Sequence, residues 1–78
     1  MVQKNEKHPA GAEVARLLRE ERTKQQLSLN ELARRAGLSQ QMVSYVEREM
    51  RTPTLETLLR LSDALGTELW KLLKKATS

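Results

Sequence analysis

The apolar positions of this chain recur every three or four residues, the period of helices that bury one face. In AEVARLLREER, Val14, Leu17, Leu18 and Glu21 fall on one side, while Arg16, Arg19 and Glu20 lie outside. That pattern starts at Ala10 and is expected to end near Gln25 or Gln26. It resumes in LSLNELARRAG, where Leu29, Leu32, Ala33 and Ala36 make the inner stripe. Ser28 stands at the N-cap, and Glu31 follows at the spacing of a capping box. Gly37 occupies the place where a helix ends in a left-handed residue. A third helix opens at Ser39, with Val43, Val46 and Glu47 on one face and Met42 at its margin. Pro53 disfavours helical geometry at Thr52 and breaks the pattern in MRTPT. Thr54 is placed to cap a fourth helix, LETLLRLSDALG, which Gly66 closes. Its inner side is read as Leu55, Leu58, Leu59, Ser62 and Leu65, with Leu61 contributing in part. A short fifth helix lies in TELWKLLKKA, with Leu69, Leu72 and Leu73 apolar and Lys71, Lys74 and Lys75 outside. No segment alternates as a strand does. The pattern predicts a compact all-α domain of five short helices. It spans residues 10–76 and follows a flexible polar leader over 1–9.

Composition narrows this further. At 78 residues the chain has room for one domain and one core. Cysteine is absent, which excludes a disulfide framework and a thiolate metal site. The one histidine, His8, lies in the leader, and no glycine-rich phosphate loop or paired-carboxylate motif is present. The sequence therefore predicts no enzyme, no cofactor, no metal and no small-molecule ligand. No apolar run reaches the ~20 residues of a membrane span, and MVQKNEKHPAG lacks the apolar region of a signal peptide. KLLKK is too short for membrane association, and packing needs its leucines. A cytoplasmic setting is expected.

Charge and aromatic content point to a partner class. Fourteen Lys and Arg against ten Asp and Glu leave a net charge of +4, a basic balance compatible with nucleic acid or another anionic partner, or with solubility alone. One Trp, one Tyr and no Phe are too few to stack single-stranded bases.

The second and third helices, at about residues 29–48, are joined by a very short turn containing Gly37, the arrangement of a helix-turn-helix. The demands are steric. Ala33 must be small because the next helix crosses close over it, and Gly37 supplies the backbone geometry that reverses the chain. Leu32, Ala36, Leu38, Val43 and Val46 must be apolar to hold the pair at a fixed angle.

In SQQMVSYVER, Gln40, Gln41, Ser44, Tyr45 and Arg48 fall at i, i+1, i+4, i+5 and i+8, one continuous face. The valines and Glu47 face the other way. Glutamine can pair bidentately with adenine N6 and N7, and arginine with guanine O6 and N7, each pair worth ~1–3 kcal/mol of discrimination. Recognition helices read mainly with their N-terminal residues, where the glutamines stand. Phosphate contacts position without specifying. For these, the start of the second helix offers free amides with Ser28 and Asn30 beside them, an anion site by geometry. The later loop offers Arg51, Thr52 and Thr54. Of Arg34 and Arg35, at least one is expected to face solvent only.

The stretches LLREER, LSLNELARRAGLSQQMVSYVERE, RTPTLETLLRLSDALG and ELWKLL resemble the phage repressor and Cro-type helix-turn-helix family, also called the XRE family. The resemblance covers residues 14–73. It implies a five-helix domain of the lambda-repressor-like DNA-binding type. It also implies a transcriptional regulator whose third helix enters the major groove of double-stranded DNA, usually as a symmetric dimer on a near-palindromic operator. Carried over by position, Gln40, Gln41, Ser44 and Tyr45 would read bases, while Ser39 and Arg48 would lie by the backbone. The family also pairs an arginine six residues before the opening serine with a glutamate in the third helix; here these are Arg22, Ser28 and Glu47. An inward carboxylate needs such a partner.

Three positions depart from the family pattern. Leu29 replaces the polar residue that commonly follows the opening serine, which removes that side chain's phosphate contact. Gln26 replaces a glycine before the Leu-Ser pair. Glu49 replaces a glycine after the third helix, which predicts a longer or more helical turn and adds a negative charge near the DNA path.

In the fifth helix, Leu69 and Leu72 suffice with Leu65 for inward packing. Trp70 and Leu73 then lie toward a second side, and a homodimer interface is expected there. The alternative reading keeps the fold but makes it a protein-interaction module, antitoxin-like or adaptor-like. That reading calls for an apolar outer face on the third helix, and the sequence makes this face polar.

Overall fold

The computed structural model describes residues 9–78, and the statements below concern these. Most of the expected leader, His8 included, lies outside the described residues. The chain forms α1 (Pro9–Lys24), α2 (Leu29–Ala36), α3 (Gln40–Glu47), α4 (Leu55–Ala64) and α5 (Leu69–Thr77), without strands. Helix α1 begins one residue before the expected Ala10, since proline suits a first helical turn. It also ends slightly earlier than expected.

The caps are local and read directly from residue types. Ser28 Oγ accepts from the Glu31 amide at 3.0 Å, and Glu31 Oε1 accepts from the Ser28 amide at 3.0 Å, a closed capping box. Ser39 Oγ accepts from the Met42 amide at 3.0 Å, and Thr54 Oγ1 from the Thr57 amide at 3.1 Å. Helix α5 has Glu68 at its N-cap without a side-chain bond.

The first four helices end alike. The amides of Leu27, Leu38, Met50 and Thr67 reach back five residues, to the carbonyls of Arg22, Ala33, Tyr45 and Ser62. Each is the outer bond of a Schellman motif, which requires a left-handed residue just before it. Those residues are Gln26 (φ 60), Gly37 (φ 70), Glu49 (φ 59) and Gly66 (φ 73). Glycine takes this conformation freely, whereas an L side chain there costs roughly 1–2 kcal/mol. The longer or more helical turn expected at Glu49 is therefore not found. Glu49 adopts the geometry a glycine would take, and α3 stops at Glu47.

One core serves all five helices. Leu18, Leu32, Val43, Val46 and Leu61 are at most 2% exposed, joined by Val14, Ala33, Ala36, Leu65, Leu69 and Leu72. Helix α1 packs on α3 and α5, and α2 lies between α3 and α4. On α1, Ala15 is buried and Leu17 half-buried.

Helix α4 turns inward a different side from the one expected of its sequence, with Leu55 and Leu59 outside the core. Leu61 is its most buried leucine at 1%, while Leu55 is 65% exposed and Leu59 45%. At about 100° per residue, Leu59 lies roughly 160° around the helix from Leu61. A stripe centred on Leu61 takes in Leu58, Ser62 and Leu65, and turns Leu55 and Leu59 out.

Candidate nucleic-acid interface

Two contacts fix the angle of α3. Its inward carboxylate, Glu47, is 4% exposed. Arg22 Nε donates to Glu47 Oε2 at 2.7 Å and Nη2 to Oε1 at 3.0 Å, while Nη1 donates to the Leu27 carbonyl at 2.8 Å. This forked pair satisfies a carboxylate that burial would otherwise penalise. Arg19 adds a bond that its outward position in the sequence pattern did not foretell. Its Nη1 donates to the Glu47 carbonyl at 3.1 Å, at the end of α3 where carbonyls lack helical partners. Gln25 likewise donates to the Leu65 carbonyl at 2.7 Å, tying the end of α1 to the end of α4. Both contacts depend on how α1 lies across other helices, which sequence spacing does not carry.

With Val43, Val46 and Glu47 buried, the opposite side of α3 faces outward. Gln40, Gln41 and Arg48 are exposed there, and Ser44 and Tyr45 are half-buried. This face is a row of amides, a hydroxyl, a phenol and a guanidinium. Gln41 Nε2 donates to the Tyr45 hydroxyl at 2.6 Å, one helical turn away. Arg51 returns from the following loop and sets its guanidinium 5.0 Å from the centre of the Tyr45 ring, within cation–π range. The i, i+4 spacing of Gln41 and Tyr45 was readable from the sequence; the return of Arg51 was not.

The other expected groups lie at the starts of α2, α3 and α4 and in the loop before α4. Ser28, Asn30, Ser39, Thr52 and Thr54 are all exposed. The hydroxyls of Ser28 and Ser39 each accept a capping bond and keep a proton to donate. Thr54 and Thr57 share a hydroxyl–hydroxyl bond of 3.0 Å. The Glu31 carboxyl sits below its ordinary range, first because it accepts from the Ser28 backbone amide. It also places a negative charge in the first turn of α2. Arg34 and Arg35 are both exposed.

A separate apolar patch lies on α4 and α5. Trp70 is 56% exposed and Leu73 39%, and they line a shallow groove with Leu59 and Leu69. Lys71 Nζ lies 5.8 Å from the Trp70 ring centre. Leu59 belongs to this patch, although helical periodicity places it in the core, because leucines lie on every side of α4.

Among the described residues, no His, Cys, Asp or Glu side chains gather into a metal-ligating group. No helix there is long and apolar enough to cross a membrane.

Two short helices joined by a tight turn through Gly37, the second with an apolar inner side and a polar outer one, define a helix-turn-helix of lambda-repressor-like fold. The family model Helix-turn-helix (HTH_3) matches residues 18–69. The chain is 45% identical over 56 residues to the HTH-type transcriptional regulator y4dJ of Sinorhizobium fredii, a match covering 72% of this chain and 68% of that protein. Its fold is similar to the restriction-modification controller protein C.AhdI from Aeromonas hydrophila (TM-score 0.77, 35% identity, 83% of this chain and 98% of the other). It also resembles SinR, the master regulator for biofilm formation, solved in complex with DNA (TM-score 0.71, 30% identity, 77% and 97% coverage). The chain belongs to the XRE-type helix-turn-helix family of transcriptional regulators.

Proposed function

We propose that this protein is a sequence-specific regulator that inserts α3 into the major groove of double-stranded DNA. The observation that carries this reading is the outward face of α3, polar along its length and set on a rigid apolar base. Gln40, Gln41 and Ser44 approach base edges, with Tyr45 beside them. Arg48, Arg51, Thr52 and Thr54, with Ser28, Asn30 and Ser39, meet phosphates. The protein acts as a symmetric dimer through Trp70 and Leu73, with Leu59 added from α4, on a near-palindromic operator. SinR, a relative, was solved with DNA, which supports the same role here. The five helices of residues 9–77 form the binding domain, and no catalytic role is assigned. A protein-interaction module would need an apolar α3 face, and Gln40, Gln41 and Arg48 make that face polar.

Selection of duplexes from a random pool tests the reading, followed by titration at two salt concentrations. A near-palindrome should be enriched, and binding should weaken steeply with salt as phosphate counterions return. Absence of enrichment would refute sequence-specific DNA binding.

A further inference from the structure

The contact between Gln41 and Tyr45 bears on how specificity is set. A glutamine amide at a base edge has two orientations related by a half-turn, and they present donor and acceptor in opposite order. Adenine offers an N6 donor and an N7 acceptor, so only one orientation matches it. An unrestrained glutamine can take either orientation and several rotamers, and ordering it on binding costs entropy. Gln41 is restrained. One of its two N–H groups donates to the Tyr45 hydroxyl at 2.6 Å, which leaves the carbonyl oxygen and the second N–H for a base. That is one acceptor and one donor, the pair that adenine requires.

Tyr45 is held in turn. It is half-buried on α3, and the Arg51 guanidinium lies 5.0 Å from its ring centre. The turn that brings Arg51 back is pinned by the Met50 amide donating to the Tyr45 carbonyl at 2.8 Å. The order of support runs from turn to Arg51, to the Tyr45 ring, to the Gln41 amide.

We propose that Tyr45, braced by Arg51, is a positioning residue that holds the Gln41 side chain at the base edge and thereby strengthens a preference for adenine at the base pair Gln41 faces. It acts through Gln41 and reads no base itself. This rests on the DNA-binding reading above and assigns Tyr45 a different task from the base contact expected of its position in the sequence. The phenol can accept from the amide or donate to it, so the hydroxyl restricts the rotamers of Gln41 rather than choosing between the two amide orientations. Such preorganisation lowers the entropy lost when Gln41 is ordered on adenine, and leaves it less free to adapt to another base.

Duplex selection with the wild type, Gln41→Ala and Tyr45→Phe tests it. Phe keeps the ring and its contact with Arg51 and removes only the hydroxyl, and thermal unfolding checks that the fold is retained. Gln41→Ala should lose sequence preference at one position per half-site. Tyr45→Phe should lose preference at that same position, with adenine falling about fivefold to tenfold, as expected for one hydrogen bond. The other positions and the salt dependence should stay unchanged. Full retention of the adenine preference in Tyr45→Phe would overturn the proposal. So would a loss at a different position, which would make Tyr45 a reader in its own right. If the wild type enriches nothing, the DNA-binding reading itself fails and the positioning role falls with it.

Discussion

In α2 and α3 every bulky apolar side chain is at least partly buried, whereas in α4 and α5 Leu55, Leu59, Trp70 and Leu73 stay at the surface. Both pairs contribute to the same core. They differ in what is left over once the core is filled. The remainder of α3 is a row of hydrogen-bonding groups, suited to a polar partner whose edges must be matched one by one. The remainder of α4 and α5 is a leucine and tryptophan patch, suited to burial against a second apolar surface, where shape matters more than bond direction. A small domain can thus carry two kinds of contact on opposite elements without either weakening the core.

The largest expected effect removes the tie that sets the angle of α3. Arg22→Ala leaves the Glu47 carboxylate buried and unpaired, and should cost about 3–5 kcal/mol. Arg19→Ala removes only a bond to a carbonyl and should cost about 0.5–1.5 kcal/mol. Thermal unfolding measures both, and equal melting temperatures would contradict this assignment.

Next comes the two-sidedness of α4. Leu61→Ala should destabilise by about 2–5 kcal/mol, as for a fully buried leucine. Leu59→Ser should change monomer stability by about 0.5 kcal/mol or less. In sedimentation at micromolar concentration, however, it should shift the protein from dimer to monomer. If Leu59→Ser costs as much stability as Leu61→Ala, the patch belongs to the core after all.

A smaller effect lies at the helix ends. Gln26 holds a left-handed conformation that glycine takes without strain, so Gln26→Gly should stabilise by about 1 kcal/mol. Gly37→Ala should do the opposite, since the same geometry is strained for alanine and its Cβ would stand 3.0 Å from Arg60 Nη1. Chemical denaturation checks both signs.

The smallest is a pH effect at the capping box. The Glu31 carboxyl is lowered from its ordinary value of 4.5 by the Ser28 amide. A depressed folded value stabilises the protein above the unfolded value, and this contribution is lost as pH falls through the folded one. The stability difference between wild type and Glu31→Gln should therefore be constant above about pH 5 and drift against the wild type in more acid solution. A constant difference down to pH 3 would contradict it.

Sequence legibility follows the same division between local and tertiary causes. Ser28, Ser39, Thr54, Gly37 and Gly66 announce helix ends because each acts on backbone groups within a few residues of itself. The α2–α3 core was readable because Leu32, Ala33, Val43 and Val46 leave no second apolar stripe to choose. In α4, leucines at 55, 58, 59, 61 and 65 surround the helix, and periodicity alone could not select the side that α2 covers. The polar α3 face was readable as a face. The support Arg51 lends to Tyr45 depends on a turn that brings distant positions together.

If the outward face of α3 reads bases, the double variant Gln40→Ala/Gln41→Ala should lose that reading. Its affinity should be measured for the selected duplex and for a random duplex at one salt concentration. At ~1–3 kcal/mol per bidentate pair, loss of two pairs should weaken binding to the selected duplex about thirtyfold or more, with random-duplex binding unchanged. Retention of wild-type preference for the selected duplex would contradict base reading by α3.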